Sequence, residues 1–426
     1  MQKPLFGATV IGLSTKIGQN VPIIKLEGGP MPGALDGVRI VDLTTMISGP
    51  IATMMLADQG ADVIKVEPKS GDLVRVLGPA KGDRTATFLA ANRNKRSLVL
   101  NLKTDEGLAA LKKLVSTADV VVQNFRPGAA ERMGIGEVDL RKERADLIYV
   151  SISGFGETGP YAKKRVYDPV IQALSGLAAI QADRDTGRPR MIRTIIPDKL
   201  TAVTAAQAIT AALFARERTG EGQHIKLSML DAMIAFLWAE GLVALTFPGG
   251  EKHAARAQLS QDLIYKTQDG YITVGAVSDD EWNGLCAALD QPQWLEDERF
   301  NTPSGRVVNA PERLALTQEV LQHKTSADWL SVLDSNQVPC APILDRTSLL
   351  DHPQIQANQI VEEQAEDELG AFRLPRPAAR FSGTQAETRR QAPHLGEHTA
   401  QLLAELGYDQ QAIDELITAR AASNYG

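Results

Sequence analysis

The chain is poor in the residues that metal centres and cross-linked scaffolds require. Its 426 residues include two cysteines, Cys286 and Cys340, far apart in sequence, and six scattered histidines. That excludes a disulfide framework and leaves no zinc-ligand spacing, so no metal site is expected and both cysteines read as reduced thiols. Cys340, in VPCAPI, reads as a core thiol rather than a nucleophile. Long apolar runs are also missing. The most apolar stretch, TAVTAAQAITAALFA from Thr201 to Ala215, is too short and too rich in Thr and Gln to span a bilayer. An excess of positive charge is absent as well: the formal net charge is -7 and the pI about 5.5. Neither nucleic acid nor an anionic membrane surface is therefore an expected partner. Three catalytic signatures are lacking: GxGxxG after the first strand, GxxxxGK[ST] and GxSxG. A tightly bound dinucleotide is not expected, and the expected location is cytoplasmic. The opening MQKPLFGATVIGLSTK carries an apolar patch broken by Gly and Ser without a small-residue cleavage site, and residues 1–34 read as an extension.

What is present is a regular alternation. GVRIVDL reads as a strand, SGPIATMMLADQGA as a helix opened by Ser48, Gly49 and Pro50, and ADVIKVE as the next strand. RSLVLNL, the helical TDEGLAALKKLVSTA with Thr104 at its start, DVVVQNF and DLIYVSI continue the series. Strands alternating with such helices predict a parallel sheet covered by helices, a Rossmann-like α/β unit over 35–225. Beyond FPGGEKHA the texture changes. DLIYKTQDGYITVGA reads as a hairpin turning at Asp269-Gly270, and a smaller α+β unit is expected over 226–345. The stretch 346–426 ends in the helical TAQLLAELG and is expected to return to the larger unit. The length alone favours more than one core.

Two aspartates stand at predicted helix starts. Asp198 lies in TIIPDKLTA, ahead of an alanine-rich helix, where a carboxylate either caps the helix or is kept ionised by its positive end. Asp168, in VYDPVIQ, reads as a cap or a group that orients a loop. NRNKRS reads as a basic turn, either solvated or anion-binding. These features alone leave the function open.

The blocks GVRIVDLTTMISGP, GADVIKVE, NRNKRSL, NFRPGAAERMGI, SISGFGETGP, YDPVIQALSGL, PDKLTA, ARERTGEGQHIKLSMLDA and LGEHT occur in that order. Together they resemble the class III CoA-transferase family, over most of the chain from about Leu35. The family includes formyl-CoA:oxalate, carnitine and dicarboxylate CoA-transferases, and its relatives include α-methylacyl-CoA racemase. The resemblance implies an interlocked homodimer that moves CoA from an acyl-CoA to a free carboxylic acid, a dicarboxylate by family habit. It implies no tightly bound cofactor, the CoA thioester being a substrate. Asp198 takes the position of the nucleophile, which passes through an anhydride and an aspartyl-CoA thioester. For CoA, the resemblance implies contacts from Met46, Ile47 and Ser48, and from Asn124, Phe125, Arg132 and Met133 around the adenine and phosphates. Arg75, Arg93, Lys95 and Arg96 are further phosphate candidates, since the phosphates call for positive charge.

Four departures are visible. Pro68 stands where the family often has a CoA-contacting arginine, leaving Lys69 to substitute. Ser153 replaces a lysine of some oxalate-using members. A four-glycine flap is reduced to Pro248-Gly249-Gly250. Tyr167 occupies the place of the racemase histidine, and a phenol is a poor base near neutral pH. A 2-methylacyl-CoA racemase or epimerase is the alternative, disfavoured by Tyr167.

Overall fold

A computed structural model describes residues 33–183, 186–249 and 262–425. All but two residues of the expected extension lie outside that range. The architecture is α/β, built on a seven-stranded sheet of order β14-β5-β2-β1-β6-β7-β8. In chain order its first part runs β1 (Arg39–Asp42), α1 (Ser48–Asp58), β2 (Asp62–Glu67), a small hairpin β3 (Ala80–Lys81) and β4 (Arg84–Thr85), and α2 (Ala86–Asn92). It continues with β5 (Lys95–Leu100), α3 (Asp105–Val115), β6 (Val120–Gln123), α4 (Ala129–Arg132), α5 (Glu137–Glu143) and β7 (Ile148–Ser153). An excursion carrying α6 (Asp168–Leu174) and α7 (Leu177–Ile180) precedes α8 (Ile196–Thr219), β8 (His224–Ser228) and α9 (Met229–Trp238).

The strands from β5 to β8 pair in parallel. Parallel pairing demands cover on both faces, and the central strands are accordingly buried and mostly apolar, with charged residues such as Lys65 and Lys95 as exceptions. One core packs Val41, Ile64, Leu98 and Val121 against Leu111 and Leu114 of α3. The opposite core packs Ile40, Val63, Val120 and Ile148 against Ala52 and Leu56 of α1 and Ala202, Ala205 and Ile209 of α8. Alanines on the facing sides of α1 and α8 let the two helices approach closely, which matters for the site. Thr104 accepts a hydrogen bond from the Gly107 N–H and so starts α3 where the sequence predicts a helix start.

The boundary drawn at 225/226 falls inside β8, because this strand completes the sheet by pairing with β7 from Tyr149↔His224 to Ser153↔Ser228. Further along, β9 (Ile264–Lys266), β10 (Tyr271–Val274) and β11 (Cys340–Pro342) form an antiparallel sheet. It has its own core of Trp282, Trp294, Phe300, Leu321, Trp329 and Leu333. The turn between β9 and β10 is closed by the Thr267 N–H donating to Gly270 O at 3.0 Å. After the hairpin β12 (Val361–Glu366) and β13 (Gly370–Pro375), the helix Thr399–Glu405 adds Leu402 and Leu403 to the first core. β14 (Ala422–Ser423) then pairs antiparallel with β5. No helix among the described residues is long and apolar enough to cross a membrane.

Candidate active site

Strand order places the site. From β1 the chain proceeds through β2 to β5 on one side, and through β6, β7 and β8 on the other. The direction reverses between β1 and β6, and ligands in open α/β sheets bind at the carboxyl ends of the strands at such a switch. The two loops leaving that point are joined directly. The Thr45 N–H donates to Asn124 Oδ1 at 3.0 Å, and Asn124 Nδ2 donates to Thr45 O at 2.9 Å. Asn124 thereby ties the β1–α1 loop to the end of β6. Phe125 is fixed beside it by its N–H donating to Gln123 Oε1 at 2.7 Å, and Gln123 is held by Ser151 on β7.

α1 begins without a capping side chain. Its N-cap position is Ile47, preceded by Met46 in the left-handed region at φ 70°. The first-turn N–H groups are therefore available to an outside acceptor, and they attract negative charge. Asp198 supplies that charge. It sits half-buried in the first turn of α8, three residues after the Ile195 N-cap, with its carboxyl beside the hydroxyl and the backbone N–H of Ser48, both of which favour its charged form. Asp198 is not the N-cap of α8, a position held by Ile195; its carboxyl lies beside Ser48 of α1. Ser48, expected at the CoA site, lies beside the nucleophile candidate.

Asp168, 2% exposed, is the first residue of α6. One carboxylate oxygen accepts from the Asp198 N–H at 3.3 Å, the other from Gln172 Nε2 at 2.6 Å. Gln172 also receives the Ile192 N–H at 3.0 Å and so orients the segment leading into α8. Asp168 therefore orients a loop, one of its two expected roles. Burial pushes the Asp198 carboxyl up to about 6, with the Asp168 charge adding to the rise and the Ser48 donors opposing it. Burial likewise raises Asp168. A carboxylate in such a place is ionised at neutral pH yet weakly solvated, which suits a nucleophile.

The other sequence candidates lie on loops and at the ends of elements. Met46 and Ile47 lie between Thr45 and Ser48. Lys69, just past β2, is exposed and without an ion-pair partner among the described residues. Arg132 is exposed at the end of α4, beside Met133. Ser153 ends β7, where its hydroxyl accepts from the Gly156 N–H at 3.1 Å. Tyr167 is 65% exposed as the residue before α6, with no capping role for its side chain. Gly249 has left-handed backbone and open space around it, and Gly250 lies outside the described residues.

The basic candidates differ most from expectation. Arg75, 3% exposed, donates to both oxygens of Glu67 and to Asp83. Arg96 donates to both oxygens of Asp62 and both of Glu405. Arg93 grips Asp58 through two nitrogens. Lys95 is fully buried with its three donors on Asp42, Pro50 O and Asn92. A guanidinium or ammonium whose donors are already filled has none to offer a phosphate, so these four build the frame below the site. Lys65 and Asp72, also fully buried and paired at 2.9 Å, belong to the same frame and escaped the sequence reading. A lone lysine inside the apolar strand VIKVE is the signal that could have revealed them, since a buried lysine needs a buried partner.

The geometry makes one prediction directly. A step that requires the Asp198 carboxylate should lose rate as pH falls through about 6, with unit slope. Ser48→Ala removes a donor that favours the charged form, so the acid limb of kcat should move up by about 1 pH unit. A pH–rate profile of the two proteins checks this.

The model for CoA-transferase family III matches residues 35–399 of the chain. The human succinyl-CoA:glutarate CoA-transferase is 36% identical over 393 residues, covering 90% of this chain and 89% of that protein. The succinate–glutarate CoA-transferase of Agrobacterium fabrum is 38% identical over 384 residues, covering 87% and 95%. Among solved structures, a CaiB/BaiF family protein from Brucella suis superposes with a TM-score of 0.76 at 32% identity, covering 88% of this chain and all of that one.

Proposed function

The chain belongs to CoA-transferase family III, and from that premise we propose that it moves CoA between two dicarboxylic acids through covalent intermediates on Asp198. The observation that supports the residue assignment is the placement of its carboxylate, half-buried in the first turn of α8 beside Ser48 in the first turn of α1. The dicarboxylate class rests on what the relatives named above act on.

The reaction balances in four steps. The Asp198 carboxylate attacks the thioester carbonyl of the donor; the C–S bond breaks, leaving a mixed anhydride and CoA thiolate. The thiolate attacks the aspartyl carbonyl, forming an aspartyl-CoA thioester and releasing the donor acid. The acceptor carboxylate attacks that thioester, giving a second anhydride and thiolate. The thiolate then attacks the acceptor's acyl carbonyl, releasing its CoA thioester and restoring Asp198. A carboxylate is a weak nucleophile, so positioning and fixed donors must supply much of the barrier reduction. The Ser48 N–H holds the carboxylate before attack and is placed to serve the oxyanion when that carboxyl carbon is itself attacked.

In this reading the CoA nucleotide lies over the Met46–Ser48 turn and the Asn124–Phe125 loop, with Lys69, Arg132 and Met133 at the rim. Arg75 and Arg96 are left out because their donors are filled. An interlocked homodimer is part of the proposal. Val203 and Phe214 on α8, with Phe236 on α9, are each more than half exposed, an apolar surface that a second chain would cover. The two unpaired cysteines are in keeping with a reducing, cytoplasmic setting.

The test is to mix the enzyme with a panel of dicarboxylic acyl-CoAs, quench with hydroxylamine and map peptides by mass spectrometry. A hydroxamate on the peptide containing Asp198, absent from Asp198→Asn, is the expected result. Label at another carboxylate would overturn the assignment. Deuterium entering the acyl α-carbon without label would instead favour the racemase alternative.

A further inference from the structure

The turn that delivers Ser48 is held residue by residue from below. The Thr44 carbonyl accepts from Lys65 Nζ at 2.9 Å. Thr45 is clipped at both its N–H and its carbonyl by Asn124. The Met46 N–H donates to Asp72 Oδ1 at 3.1 Å, while Asp72 Oδ2 accepts from Lys65 Nζ at 2.9 Å. One buried ion pair thus grips the turn on both sides of Thr45. Met46 has φ 70° although it carries an ordinary side chain. That conformation costs on the order of 1 kcal/mol and persists only where the surroundings over-determine it. Two residues later the chain reaches Ser48, which lies beside the Asp198 carboxyl and favours its charged form.

We infer that Lys65 and Asp72 are positioning residues for the nucleophile, acting through the left-handed turn at Met46. Stability alone is a poor account of the pair. Breaking a buried ion pair is costly, but apolar residues of similar volume often replace both partners without loss. What apolar residues cannot do is accept the Met46 N–H on one side while donating to the Thr44 carbonyl on the other. Without that grip Met46 relaxes toward negative φ, and the first turn of α1 carries the Ser48 donors away from Asp198. The inference rests on Asp198 being the nucleophile.

Asp72→Asn keeps the shape and removes the charge. Its kcat should fall about 10- to 100-fold, the scale of a misplaced catalytic group, and KM for the acyl-CoA should rise with it, because the same turn lies under the nucleotide in the proposed reading. The acid limb of kcat should move above 6, because the Ser48 donors no longer favour the carboxylate. A purely structural role would lower the melting temperature and leave that limb in place. Met46→Gly in the Asp72→Asn background should restore most of kcat, since glycine adopts the left-handed turn without a clamp. Should Asp72→Asn not fold, Lys65→Met/Asp72→Leu provides the same comparison with both charges removed together. A folded variant with parental kcat and acid limb overturns the inference, as does failure of Met46→Gly to restore rate. Parental rates in Asp198→Asn would instead sink the reading on which it rests.

Discussion

Asp198→Asn is expected to lower CoA transfer by about 10⁴-fold or more and, near pH 8, to raise the melting temperature. The first effect follows from losing the only group proposed to bond covalently to the acyl carbon. The second follows from linkage. The folded-state carboxyl is pushed up to about 6 from its ordinary 3.8. Between those values the folded protein binds more protons than the unfolded chain, so stability falls as pH rises through that window. Above 6 the full cost of keeping the charge in place is present. Two pH units correspond to about 3 kcal/mol, and partial exposure of the side chain reduces that to roughly 1–3 kcal/mol. Asparagine never ionises and removes this cost. The gain should therefore appear at pH 8 and vanish near pH 4, where the folded-state aspartate is already protonated. Calorimetry of both proteins at the two pH values is the check. A destabilised Asp198→Asn at pH 8 would mean that the carboxylate serves structure rather than chemistry.

How far the sequence reached can be judged from individual residues. The parallel sheet was legible because each strand is a short apolar run beside a helix with recognisable start signals, Thr104 being the clearest. The β9–β10 hairpin was legible because Asp269-Gly270 offers few alternatives to a turn. Asp198 and Asp168 were legible as candidates because a carboxylate after an extended segment and before a helical pattern is conspicuous. What could not be read was how the two aspartates meet. The contact joins positions 30 residues apart through the loop that Gln172 organises, and no local pattern encodes it.

The basic residues teach a different lesson. NRNKRS has the composition of a solvated turn, yet Arg93, Lys95 and Arg96 are all buried. Their acceptors, Asp58, Asp42, Asp62 and Glu405, lie from 34 to 309 residues away in sequence. A charge is judged free or spent only when its partners are known, and long-range partners are a property of the fold. Composition therefore could not separate paired cations from exposed ones such as Lys69 and Arg132.

Gly49→Ala is expected to damage both stability and rate, through a single misplaced carbon. Gly49 follows Ser48 in the first turn of α1, and a Cβ built there would stand 2.3 Å from Thr44 Cβ. Thr44 cannot yield. It is fully buried, its N–H and hydroxyl both bond to Asp42, and its carbonyl accepts from Lys65. The helix start must move instead. Overpacking of this kind costs typically about 1–3 kcal/mol and here should reach the upper end, because the obstruction is a fixed side chain. The same shift withdraws the Ser48 donors from Asp198, and a displacement of about 1 Å at such a group lowers kcat about 10²-fold. Gly383→Ala is the control: its Cβ meets nothing within 4 Å, so melting temperature and rate should match the parent. If Gly49→Ala melts lower but keeps parental kcat, the first turn of α1 is not what aims Ser48 at the nucleophile.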